Sequence, residues 1–188
     1  MSQSKKPIAW RNYLQNPTDL FALWVATGFG SGFWPVGPGT AGTVVGLGIL
    51  IYLAQASWSS TWIILFWSAL FFIGVWSATR VSRKEGVNDH GSIVIDEILG
   101  IALTVGGSIN WGIDAVVAFI LFRFFDIIKI PPVKAIDRWS KKGSREHPWI
   151  TGFGIIADDL AAGIQAGVCL WLLKHFELLT SLAQTLGI

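Results

Sequence analysis

From Thr61 to Ala78 the chain runs without a single charged residue, and Thr40–Ala56 is a second such stretch. Each approaches the roughly 20 apolar residues that an α-helix needs to cross a bilayer. Runs of this kind read as membrane spans, and they dictate how the rest of the chain must be arranged. Composition agrees. Mean hydropathy is +0.55, and 14% of residues are charged, against about 25% in a typical soluble domain. So few charges could not cover the surface of a large buried aromatic core. The 11 Trp and 12 Phe instead fit rings lying at membrane interfaces. A formal charge of +2 in such surroundings excludes a nucleic-acid binder. Cys169 is alone in an apolar run, so neither an intramolecular disulfide nor a zinc cluster is open to it, and it reads as structural filler. The polar start carries no recognisable cleavable signal.

The expected fold is an all-α polytopic helical bundle, a single membrane-embedded domain over residues 1–188 with a polar basic segment at 1–15 and a surface tail at 174–188. Asn16-Pro17-Thr18-Asp19 reads as a helix start, with Asn as cap and Pro at the first helical position. The helix that follows, to about Ala26, is too short to span and would be interfacial or re-entrant. Thr27–Gly42 is rich in Gly and Pro yet apolar and aromatic, unlike an ordinary linker. It is not a P-loop, since no Gly-Lys-Ser/Thr follows. It could form a tight loop whose N–H groups face an anion, which makes Gly30, Ser31, Gly39 and Thr40 candidate substrate contacts. Five spans are expected, over residues 40–56, 61–78, 93–105, 113–128 and 153–173. The N-terminus, the Arg80–Lys84 loop and the Lys129–His147 loop hold nearly all the basic residues, which assigns them to the cytoplasmic side.

Against this apolar background the acids stand out. Asp89, Asp96 and Glu97 head one apolar segment, Asp126 closes another, and Asp158 and Asp159 interrupt a third. Carboxylates there are costly unless something neutralises them. By the topology just given, all six fall near the cytoplasmic interface. Pairing, such as Arg123 with Asp126, would satisfy some of them but hardly three separated groups. With no His or Cys cluster nearby, a set of carboxylates favours a hard cation, Mg²⁺ by default. Such an ion would polarise a phosphoryl group and acidify water. Candidate metal ligands are Asp96, Glu97, Asp126, Asp158 and Asp159, although adjacent acids should point different ways. Arg123, Lys129 and Lys134 are candidate holders of a phosphate dianion, and His90 is either a proton donor to a leaving alkoxide or a polar loop residue.

These residues carry a family resemblance. Gly28-Phe29-Gly30-Ser31-Gly32 with Pro38-Gly39-Thr40, Asp89-His90-Gly91-Ser92-Ile93-Val94 with Asp96-Glu97, Phe122-Arg123 with Asp126 and Lys129, and Gly154-Ile155 with Asp158-Asp159 occur in that order. From about Leu23 to Gly167 the chain resembles bacterial phosphatidylglycerophosphatase A, an Mg²⁺-dependent inner-membrane enzyme. It departs from the family pattern in placing Ile130 between Lys129 and Pro131. The resemblance implies a metal-dependent catalytic site at Asp89, Asp96, Glu97, Asp126, Asp158 and Asp159. It further implies hydrolysis of phosphatidylglycerophosphate, a lipid held in the bilayer, to phosphatidylglycerol and phosphate. Attack by activated water and passage through an aspartyl-phosphate both stay open. From other classes, a cation or proton transporter would distribute its acids through the membrane depth, and a lipid-binding protein would release no phosphate. A CDP-alcohol phosphotransferase would need a paired Asp-x-x-Asp motif that is missing here.

Overall fold

The computed structural model describes residues 8–107, 109, 112–143, 148–178 and 184. Among them are seven α-helices and no strand. The expected surface tail falls largely outside the described residues, as do residues 1–7 of the polar start. The first helix, α1, covers Pro17–Ala26, and Asn16 Oδ1 accepts the Thr18 N–H at 2.9 Å; a cap of this kind contributes about 1 kcal/mol. Helix α2 covers Pro38–Gln55, α3 Ser60–Glu85, α4 Ile95–Val105, α5 Ile113–Ile128, α6 Val133–Gly143 and α7 Pro148–His175.

Three helices, α2, α3 and α7 from Ile150, are long and apolar enough to cross a membrane. Large hydrophobic side chains stand exposed along them, Ile64, Phe72, Ile164 and Trp171 among others, as expected of surfaces solvated by lipid. Aromatic residues gather at both ends of the bundle, Trp24, Phe33 and Trp34 at one and Tyr52, Trp58 and Trp62 at the other. Two of the five expected spans are shorter. With 11 residues, α4 is only about 16 Å long, and α5 has 16 residues.

α4 is the centre of the molecule. It packs against α2, α3, α5 and α7, and all its residues except Leu103 and Val105 are buried. Small residues make this possible. A Cβ on Gly163 of α7 would stand 2.4 Å from the Gly100 carbonyl oxygen of α4, and one on Gly100 would stand 2.4 Å from the Phe122 ring of α5. Only glycine lets these helices approach so closely. At the far end, Trp67 Nε1 donates to the Gly107 carbonyl at 2.9 Å, pinning the turn after α4 partway along α3.

Two segments differ from expectation. α3 continues past Ala78 to Glu85, so Arg80, Arg83 and Lys84 sit on a helix rather than in a loop. Cations at a helix C-terminus are favoured by its dipole. Arg80 and Lys84 both pair with Asp19 of α1, while Tyr13 donates to Glu85 Oε1 at 2.8 Å. These contacts dock the N-terminal segment on α3. The second is the expected loop Lys129–His147, which contains α6. Val133 is buried and Ile136 half-buried, giving that helix an apolar side that packs on α7.

Candidate active site

Helix starts and ends converge at one end of the bundle. α4 begins at Ile95, which puts Asp96 and Glu97 in its first turn, where the helix dipole favours negative charge. Asp89 is therefore off the helix, in the loop before it. That loop is held by the Val94 N–H donating to the Ala26 carbonyl at 2.9 Å. The C-terminal half of α5 supplies Arg123 and Asp126, Lys129 caps it, and the first half of α7 supplies Asp158 and Asp159.

These elements enclose a cavity of about 350 Å³. Its walls carry Asp89, Asp96, Glu97, Asp126, Asp137, Asp158 and Asp159 against the cations Arg123 and Lys129. The acids divide into two groups. Asp96, Glu97 and Asp159 are all buried and offer oxygens within 4.8 Å of one another. Asp126 and Asp158 are engaged by cations instead. Arg123 Nη1 lies 2.8 Å from Asp126 Oδ2 and 3.8 Å from Glu97 Oε1, while Lys129 Nζ pairs with Asp158 and, at 2.9 Å, with Asp137 Oδ1. Burial alone would lower the pKa of the Lys129 ammonium, but Asp158 and Asp137 outweigh that and raise it above the ordinary lysine range. Lys129 is a fixed positive charge.

The three-carboxylate group has the donor chemistry of a hard-cation site. Two of its oxygens, Asp96 Oδ1 and Glu97 Oε2, are buried without a hydrogen-bond partner among the described residues. Buried acceptors left in this way are costly, and a divalent cation bound there would satisfy both. The residues present fit Mg²⁺. The N-terminus of α2 closes another side of the cavity through Gly37, Pro38 and Gly39. A Cβ on Gly39 would stand 2.1 Å from Glu97 Oε1, so a larger residue here would displace the Glu97 carboxylate.

Other residues singled out in the sequence lie elsewhere. Gly30, Ser31, Thr40, Lys134 and His90 do not line the cavity. Gly30 and Ser31 belong to a turn in which Ser31 Oγ donates to the Thr27 carbonyl at 3.3 Å. Thr40 and Lys134 are exposed. His90 is buried, and its Nδ1 accepts the Ser92 N–H at 3.2 Å. Sequence reasoning passed over Asp137, Thr151 and Asn88, all of which line the cavity. A signal existed for Asp137. It stands four residues from Val133 and next to Ile136, an acid bordering the apolar side of a helix.

Comparison with known proteins identifies the family. The family model for phosphatidylglycerophosphatase A matches residues 24–174. The chain is 35% identical to a phosphatidylglycerophosphatase A of Haemophilus influenzae over 88% of its own length and 93% of the relative's. It is 32% identical to a phosphatidylglycerophosphatase A of Escherichia coli, over 88% of each. A third relative, from Bacteroides thetaiotaomicron, is 31% identical over 80% of this chain and 91% of its own; it is provisionally named a phosphatidylinositol-3-phosphatase. No solved structure matches the chain. With a family model covering most of its length and two such relatives, the chain belongs to the phosphatidylglycerophosphatase A family of phosphatases.

Proposed function

We propose that this protein removes the terminal phosphate of phosphatidylglycerophosphate, giving phosphatidylglycerol and inorganic phosphate, with Mg²⁺ held by Asp96, Glu97 and Asp159. What carries the reading is one cavity in which buried carboxylate oxygens without partners stand beside Arg123 and Lys129. Support for a lipid substrate comes from the cavity's rim. Ile127, which lines it, is 68% exposed, and Val36, next to lining Gly37, is 79% exposed. A headgroup could enter there while its acyl chains stay in the bilayer.

In this reading Arg123 and Lys129 bind the phosphate dianion. Asp126 and Glu97 orient the guanidinium, and Asp158 and Asp137 hold the ammonium. A divalent cation held by Asp96, Glu97 and Asp159 would supply Lewis acidity toward the phosphoryl group. The bond from phosphorus to the glycerol oxygen breaks, an oxygen from water ends on phosphorus, and a proton from that water ends on the glycerol. The carboxylates lining the cavity are the proton acceptors available to this transfer.

The same reading places five helices in the bilayer of a bacterial inner membrane, with the cavity at the cytoplasmic face. Arg80, Arg83, Lys84 and Lys129 lie at the cavity's end of the bundle, which supports that orientation. α4 needs no full crossing because its neighbours wrap it. α5 turns Val116, Ile120, Phe124 and Ile127 outward, a stripe suited to lipid.

The test is phosphate release from phosphatidylglycerophosphate in detergent micelles, with phosphatidylinositol 3-phosphate as the comparison substrate. Turnover should vanish with EDTA, return with Mg²⁺ and favour the glycerophosphate lipid. No release from folded protein in the presence of Mg²⁺ would overturn the proposal.

A further inference from the structure

Away from the catalytic cavity, the outer side of α3 carries two adjoining hollows, and Phe72 lines both. The first, of about 660 Å³, is bordered by Asp19 of α1 and by Trp76, Arg80, Arg83 and Lys84 of α3. The second, of about 490 Å³, lies between α3 and α4, with Ile64, Ser68, Leu99 and Leu103 in its walls. Neither hollow shares a residue with the catalytic cavity.

Charge and depth define an occupant. Asp19 takes the Nε of Arg80 and the ammonium of Lys84, which leaves the terminal nitrogens of Arg80 beyond that contact. Arg83 is exposed, and no acid pairs with it among the described residues. Three cations against one acid leave this hollow positive. The Arg80 guanidinium lies 5.9 Å from the Trp76 ring, an arrangement that holds its planar face against the helix. From Arg83 to Phe72 is about 16 Å along the helix, close to half the roughly 30 Å hydrocarbon thickness of a bilayer. A positive pocket at the end of a helix thus leads, one leaflet deep, into an apolar one.

We infer that this groove is a binding site for an anionic phospholipid, separate from the phosphatase cavity. Its phosphodiester lies between Arg80 and Arg83, and an acyl chain passes Phe72 into the hollow between α3 and α4. The site requires α3 to stand in a bilayer but requires nothing of the catalytic chemistry.

The experiment reconstitutes the protein in nanodiscs of phosphatidylcholine and phosphatidylserine, an anionic lipid with no phosphate monoester. Retained lipids are then counted by native mass spectrometry after transfer to detergent. Wild-type protein should retain phosphatidylserine in preference, and Arg83→Gln should reduce that preference about five-fold. Ser68→Trp, which fills the apolar hollow, should lower retention of either lipid. Equal retention by the wild type, or an unchanged preference in Arg83→Gln, overturns the site. Phosphate release by the same preparations reads the other proposal separately, because neither Arg83 nor Ser68 lines the catalytic cavity.

Discussion

α3 and α4 follow one another in the chain and are both apolar, yet they occupy opposite environments. In the apolar window of α3 only 17% of residues are buried, whereas nearly all of α4 is. In a soluble protein an apolar stretch as long as that of α3 would lie inside. Here lipid solvates α3, so hydrophobicity no longer marks the interior. The inner helix is identified by its carboxylates, because lipid cannot hold them and packed neighbours with cations can. The proposed function follows the same division, with two of its carboxylates on the helix that is nearly all buried.

The widest gap between the two helices should appear in activity. Asp96→Asn on α4 is expected to lower kcat by about 10³-fold, measured as phosphate release, with membrane accumulation near wild type; unimpaired turnover would remove the metal-site assignment. Next comes the charge that faces α4 across the cavity. Lys129→Met should lower kcat/KM by about 10- to 100-fold, and a KM that stays constant would argue that Lys129 only neutralises Asp158 and Asp137. Packing is third. Gly163→Val should destabilise the protein by about 1–3 kcal/mol, read as a lower midpoint of thermal unfolding in detergent, since its side chain would meet the Gly100 carbonyl. The smallest effect belongs to α3. Ile64→Val, on the lipid-facing surface, should change stability by no more than about 0.5 kcal/mol, and a larger loss would mean that another protein surface covers α3.

Much of this was readable in the sequence wherever a local rule applied. Asn16-Pro17 marked the start of α1 because cap and first-turn preferences are properties of a few neighbouring residues. The boundaries of α5 were legible for the same reason, apolar continuity ending at a basic residue. The acids that line the cavity were conspicuous because their surroundings are apolar. What escaped was tertiary. Asp137 looked like one charge among many in a basic segment, and only the docking of α6 on α7 brings it to Lys129. Asp96 and Glu97, adjacent in sequence, were expected to diverge, but the first turn of α4 lets both offer an oxygen to the group that Asp159 completes. The Gly28–Ser31 turn looked like an anion cradle because glycine enrichment alone does not say whether backbone turns toward a ligand or toward a neighbouring loop.

The contact between Gly100 and Gly163 lies at a telling height. Asp96 precedes Gly100 by four residues on α4, and Asp159 precedes Gly163 by four on α7. On a helix that interval is about one turn, so this close approach of the two backbones sits one turn beneath the carboxylates that meet above it. Like charges would part if free to do so. A charge-free backbone contact one storey down sets their separation instead, and the small residues act as a gauge block for the acids. Selection on the chemistry of this enzyme therefore reaches into positions that never touch its substrate, where the permitted alphabet is set by the thickness of a side chain.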